Sequence, residues 1–282
     1  AILIKGGTLI DGTGTNTMKG ADVLVEGKTI KSVGKDIKVP DGVTFIDAKG
    51  KTVMPGLIDS HVHLWGCVQG GIQEWLTRPI ELGVIKSISD AKAMLNAGYT
   101  MVKCCGSSNS LYLRESTAEG TLTGMPRILA AGHWISQTFG HGDPHILPVE
   151  YVDVRTTKYR SAFTSALLAD GVDECIKATR YALRQGADFI KIPVSGGFTS
   201  PRDKVTDVQF NLDEIKAIVD TAAQVGKYVT AHYQKSLTAL SNAILGGVKT
   251  IEHALLTDDK LVHLGIERDV IFVSTINVMR KS

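Results

Sequence analysis

From about residue 55 onward the chain alternates between short apolar segments and longer amphipathic ones. The short segments are GLIDSHVHL (56–64), YTMVKCCG (99–106), RILAAGHWI (127–135), ADFIKIPVS (187–195), KYVTAHYQ (227–234), VKTIEHA (248–254) and VIFVSTI (270–276). Each is rich in β-branched residues and short, as expected of a parallel strand buried on both faces. Between them lie IKSISDAKAMLNAG, GVDECIKATRYALRQG, NLDEIKAIVDTAAQVG, KSLTALSNAILGG and TDDKLVHLG. These have helical spacing and end at a glycine, a common helix stop. Such alternation predicts an α/β protein with a parallel sheet, and seven strands favour a closed (β/α)8 TIM barrel over an open sheet. A barrel needs eight strands, and the chain stops six residues after the seventh. The expectation is a barrel over 55–282 that is incomplete at its C-terminal side, with strands one and seven left as open edges and the natural protein longer.

Residues 1–54 have a different texture. ILIKGGTLIDG, ADVLVEGKTIKSVG and VTFIDAKGKTVMP are strand-like runs separated by turns such as Asp11-Gly12 and Asp41-Gly42. They predict a small antiparallel sheet packed on one face.

Charge and cysteine usage narrow the function. Thirty-one basic and 29 acidic residues give a formal net charge of +2 without basic runs or acidic tails, which argues against nucleic acid or a charged membrane surface as partner. No apolar run approaches the ~18 residues of a membrane span, and the first twenty residues lack a signal-peptide pattern. Cys67, Cys104, Cys105 and Cys175 follow neither a disulfide framework nor a zinc-finger spacing. They read as reduced, and the protein as cytoplasmic.

The chemistry is carried by histidines at strand ends. In Asp59-Ser60-His61-Val62-His63 the alternation of a strand sends His61 and His63 to one face, with Asp59 behind them. Two imidazoles so placed can bind one metal ion, and Asp59 could orient a ring through its second nitrogen. His232 closes the strand VTAHY and His253 the strand TIEHA, where barrel strands meet the loops that carry active sites. One such histidine is readily structural; four at three strand ends point to a metal. Lys191 lies inside the apolar ADFIKIPV, where an unpartnered ammonium is unfavourable. It either snorkels to the barrel mouth or reacts with CO2 to form a carbamate able to bridge two metals. His133 and His145 match no role, and His263 falls in a predicted helix.

PGLIDSHVHL resembles the first barrel strand of the amidohydrolase superfamily, and GGTLIDGTG…ADVLVEGKTIKSVG…IDAKGKTVMPG resembles its N-terminal β-sandwich segment. His-x-His, a strand-four lysine, a strand-five histidine and a strand-six histidine follow in the family's order. HWISQTFGHGDPH and TAHYQ make the chain most similar to the imidazolonepropionase-like and Xaa-Pro dipeptidase (prolidase) branch.

The resemblance implies that 1–54 is part of a sandwich completed by a C-terminal segment. It implies two divalent ions, with zinc the first expectation and Mn2+, Co2+ or Fe2+ open. His61 and His63 would hold the more buried ion, His232 and His253 the more exposed one, and carboxylated Lys191 would bridge them with a hydroxide. Tyr233 and His141 would contact the substrate and stabilise an oxyanion. The family's strand-eight Asp, a metal ligand and proton shuttle, has no counterpart in these residues.

The glycine- and proline-containing SGGFTSPRDKVTDVQF after strand four reads as an ordinary long loop or as a lid, from which Arg202 could pair with a substrate carboxylate. The expected activity is hydrolysis of amide or peptide bonds in dipeptides or N-acyl amino acids, by a homo-oligomer acting on small molecules. The alternatives are a cyclic-amide hydrolase or deaminase of the same superfamily, and a non-catalytic metal-binding homologue.

Overall fold

The computed structural model describes residues 1–14, 17–66, 71–158, 161 and 166–279, so Cys67 lies outside the described residues. The chain divides into two compact units, 1–57 and 58–282.

The first unit is a five-stranded sheet of β1 (Ile2–Leu9), β2 (Met18–Glu26), β3 (Thr29–Gly34), β4 (Thr44–Asp47) and β5 (Thr52–Val53). The strands run where the sequence suggests, but the sheet is mixed. β2 is antiparallel to β1 and β3, while β4 and β5 both run parallel to β1. Gly7 in β1 leaves room for this second strand: a Cβ there would lie 2.6 Å from the Val53 side chain.

The second unit is α/β. β6 (Leu57–Val62), β7 (Tyr99–Cys104) and β8 (Arg127–Ala130) form one sheet, and β11 (Ile190–Pro193), β12 (Val229–Tyr233), β13 (Thr250–His253) and β14 (Ile271–Val273) another. The ladders within the second sheet are parallel. Asp188 joins the two sheets. Its backbone N–H donates to Ala130 O at 2.8 Å, and its carboxylate accepts from Ala130 N at 2.9 Å. The seven expected strands therefore follow one another in order. Among the described residues β6 and β14 each pair on one side only; Ile58 and Ile271 there are 61% and 52% exposed.

The segment 127–135 is not one strand. It breaks at Gly132, whose φ of +65° and closeness to Leu111 suit no side chain. Past the break, β9 (Trp134–Ser136) pairs in parallel with β10 (Ala166–Leu168). The helices are α1 (Gly71–Thr77), α2 (Ile80–Asn96), α3 (Ser108–Ala118), α4 (Val172–Arg184), α5 (Leu212–Ala223), α6 (Leu237–Leu245), α7 (Asp259–Glu267) and α8 (Ile276–Met279). The sequence reading misses α3, whose SNSLYLRESTA carries only two leucines on its buried face. Among the described residues no helix is long and apolar enough to cross a membrane.

The main core lies between β11–β13 and α4–α6, with Ile190, Ile192, Ile215, Ile218, Leu240 and Ile251 all fully buried. Every residue of β11 and β12 is buried. At ~1.5–3 kcal/mol for each large aliphatic side chain, this packing holds the strands whose C-terminal ends carry His232 and His253.

Candidate metal centre

The C-terminal ends of β6, β12 and β13 bring four histidines together. The His61 ring centroid lies 5.2 Å from that of His63 and 4.7 Å from that of His253. His253 is in turn 4.7 Å from His232. On β6 the pair follows from strand alternation. On β13 it does not, because Glu252 and His253 are consecutive and both act on this cluster. The backbone explains this: His253 and Ala254 have φ of +74° and +46°, a left-handed turn that non-glycine residues adopt rarely. It ends the strand's alternation at the site.

Hydrogen bonds set which nitrogen each ring leaves free. His63 Nδ1 donates to Gly106 O at 2.9 Å, leaving Nε2 with the lone pair. His232 is the reverse: Nε2 faces Gly196 O at 3.4 Å, leaving Nδ1. His253 Nδ1 is 2.6 Å from Thr275 Oγ1. Burial, then the charge of Lys191, lowers the His61 pKa, and burial, then the neighbouring histidines, lowers those of His63 and His232. His253 is brought down to about 2 by burial, with His61 and Lys191 adding to it. The cluster thus consists of neutral imidazoles, the form that binds metal.

Asp59 does not orient a ring. Its carboxylate accepts from the backbone N–H of His61 at 3.0 Å. The partner of the His61 ring is Glu252, whose Oε2 is 2.7 Å from Nδ1. Glu252 is fully buried and also accepts from Lys103 Nζ at 2.8 Å. Burial alone would raise this carboxyl, but the bond to His61 and the charge of Lys191 hold it well below the usual carboxylate range. The sequence reading missed Lys103 and Glu252. Each is a charged residue inside an apolar run, YTMVKCC and VKTIEHA, as Lys191 is inside ADFIKIPV.

Lys191 is 1% exposed, and its ammonium makes no hydrogen bond or ion pair with the described residues. Burial lowers its pKa, and its charge acts on all four histidines. Cys105 is also buried beside His61. One ligand atom each from Cys105, His61 and Glu252 fall within 4.8 Å of one another. Burial pushes the Cys105 thiol up to about 12, and Glu252 is already filled with donors, so the four imidazoles and Lys191 are the better donor set.

His141 stands beside this cluster, stacked on His232. The loop carrying it is held tightly. Its backbone N–H donates to Gln209 Oε1 at 2.9 Å, and Nδ1 is 2.7 Å from Ser200 Oγ. A Cβ at Gly140 or Gly142 would meet Ser136, at 2.5 and 2.7 Å, so these glycines serve close packing rather than mobility. The loop 195–211 is the clamp. Asp203 ties it together by accepting from Gly197 N and Gln209 Nε2.

The remaining residues have other partners. Tyr233 is buried in the core, with its hydroxyl donating to Leu256 O at 2.5 Å. Arg202 is exposed on the 195–211 loop. His145 stacks on Phe139, His133 is buried near Tyr181, and exposed His263 in α7 faces Asp259 O.

Residues 52–281 match the amidohydrolase family model, and the chain belongs to that family. It is 30% identical to ochratoxinase of Aspergillus niger over 293 aligned residues, covering 98% of this chain and 59% of that protein. A dihydroorotase of a Thermoanaerobacter species is 41% identical, but over only 38% of the chain. Among solved structures, a prolidase complexed with N-methylphosphonate-L-proline superimposes with a TM-score of 0.88 at 33% identity, covering 98% of this chain and 66% of that one. A Xaa-Pro dipeptidase with bound methionine gives 0.83 at 31%, with 98% and 67% covered. The fold these neighbours imply is of the α/β TIM-barrel type. The chain spans about three-fifths to two-thirds of the length of these full-length matches.

Proposed function

We propose that this chain carries the metal centre of an amide-bond hydrolase. Its substrates are dipeptides with C-terminal proline or a related residue, or N-acyl amino acids. The observation that carries the reading is the meeting of His61, His63, His232 and His253 at three strand ends, with a buried Lys191 that has no hydrogen-bond or ion-pair partner among the described residues. The donor set fits divalent cations, zinc first, because every ring is held neutral and the hydrogen bonds of His63 and His232 each free one nitrogen. His61 and His63 would hold one ion, His232 and His253 the second. The seven strands would belong to an eight-stranded barrel, and the N-terminal sheet to a β-sandwich.

Lys191 would contribute as a carbamate. With its pKa lowered by burial, the neutral amine attacks CO2, forms the N–C bond and releases one proton, giving an anionic ligand with two oxygens. When bound, a pair of divalent ions supplies an acidified water and polarises the scissile carbonyl. The chain's own residues would orient the substrate. With the Ser200 hydroxyl turned from Gly197 O to donate to His141 Nδ1, Nε2 would carry the proton and could donate to a carbonyl or its oxyanion. Arg202 lies on the loop that clamps His141 and would reach for a substrate carboxylate. Tyr233 would serve the substrate only after releasing Leu256 O.

The prolidase and Xaa-Pro dipeptidase structures, both similar over 98% of the chain, support the dipeptide reading. The dihydroorotase similarity supports cyclic-amide hydrolysis as a second reading, over a shorter span. The test is native mass spectrometry of the purified protein, followed by turnover of Xaa-Pro dipeptides and cyclic amides. The expected result is two metals, a mass increment of one CO2 that Lys191→Ala removes, and hydrolysis of the dipeptides. Turnover of cyclic amides alone would favour the second reading. Two metals without turnover would point to a non-catalytic homologue, and no metal would overturn the proposal.

A further inference from the structure

Beneath the histidine cluster a set of hydrogen bonds leads to one place, the His61 ring. Thr250 has one hydroxyl hydrogen, and it goes to Glu252 Oε1 at 2.9 Å. Its two lone pairs then accept from Thr230 Oγ1 at 2.9 Å and from Lys103 Nζ at 3.0 Å. Lys103 also donates to Glu252 Oε1 at 2.8 Å. Its ammonium lies 5.0 Å from the ring centroid of Phe189, which stacks on Tyr228. Oε1 is therefore filled by two donors, and Oε2 is turned to His61 Nδ1 at 2.7 Å.

A buried Lys–Glu pair adds little stability over apolar side chains of the same volume, so stability does not account for this arrangement. An apolar pair could not present a fixed acceptor to an imidazole. We infer that Glu252, anchored by Lys103 and Thr250, is a positioning residue that holds His61 as the Nδ1–H tautomer, with Nε2 bearing the lone pair. The use of that lone pair for a divalent cation rests on the function proposed above; the tautomer does not.

The first readout is the tautomer of His61 in the metal-free protein. Long-range 1H–15N spectra of 15N-histidine-labelled protein report it, with the His61 signals identified by their loss in His61→Asn. The wild type is expected to show Nδ1–H, and Glu252→Gln and Lys103→Met to lose that preference. A purely structural role for the pair would lower stability without moving the tautomer. The second readout is calorimetric titration with Zn2+, in which Glu252→Gln is expected to bind about 10- to 100-fold more weakly.

The double variant Lys103→Met/Glu252→Gln leaves neither member of this pair as an unpaired buried charge. It keeps the test available if a single variant fails to fold, and it is expected to lose the tautomer too. An Nε2–H tautomer in the wild type, or Nδ1–H unchanged in the Glu252→Gln and double variants, overturns the inference. A wild type that shows Nδ1–H, lost in the variants, yet binds no Zn2+ upholds the positioning role and overturns the metal-centre reading instead.

Discussion

His141 lies face to face with His232, the ring centroids 4.2 Å apart and the planes inclined by 22°. One of the two closes a barrel-type strand and the other sits on a distant loop, so the stack fixes where the loop delivers its imidazole. If His141 receives the developing oxyanion, His141→Ala should lower kcat about 10²- to 10³-fold on a Xaa-Pro dipeptide while leaving bound metal unchanged. Steady-state kinetics with metal analysis of the same sample checks this. Loss of metal together with activity would instead make His141 part of the metal-holding set.

Gly197 gives an independent handle on that ring. A Cβ at this position would fall 2.1 Å from His141 Cε1. Gly197→Ala must therefore displace the imidazole or the 195–211 loop. A displacement of about 1 Å at a catalytic group can reduce rate about 10²-fold. The expected result is a fall in kcat with the Zn2+ affinity of the cluster retained. Unchanged kinetics would mean the ring has room to move without consequence.

The parts legible in the sequence were those set by local periodicity. Alternation of apolar strands and Gly-terminated helices gave the strand order of the second unit, and His-x-His alternation gave the His61–His63 pair. What was not legible depended on contacts between distant residues or on unusual backbone. Glu252 pairs with His61 from 191 positions away, and Lys103 reaches the same carboxylate from another strand. His253 was legible as a strand-end histidine, but the positive φ that lets it and its neighbour Glu252 both act on the cluster has no signature in sequence. Composition cannot reveal that Ser136 packs against Gly140 and Gly142.

The capping box of α5 links loop and core. Asn211 accepts from the backbone N–H of Asp213 and Glu214, and Glu214 returns a bond to the Asn211 N–H. Glu214 Oε1 also accepts from Gly171 N at 2.7 Å, at the start of α4. Asn211→Ala should destabilise the protein by about 1 kcal/mol. Glu214→Ala should do more, because it also strands the Gly171 donor. Urea denaturation of the two variants ranks them, and the reverse order would show that the Gly171 bond contributes little.

The buried histidines also make the metal-free protein sensitive to acid. Burial is the first cause for both His141, lowered to about 4 despite the opposing charge of Asp203, and His253, lowered to about 2. In the unfolded chain each returns to near 6.5 and takes up its proton first as pH falls. The stability tied to these neutral rings is therefore complete above about pH 6.5 and is lost progressively as the pH drops toward 4 and below. The chelated protein should melt at a lower temperature at about pH 5.5 than at about pH 8. His141→Phe, which keeps an aromatic ring against His232 but cannot titrate, should narrow that difference. Calorimetric melts in chelator decide it: equal melting temperatures at the two pH values would mean that these rings are solvated in the metal-free state, and with that the neutral cluster described here would not hold.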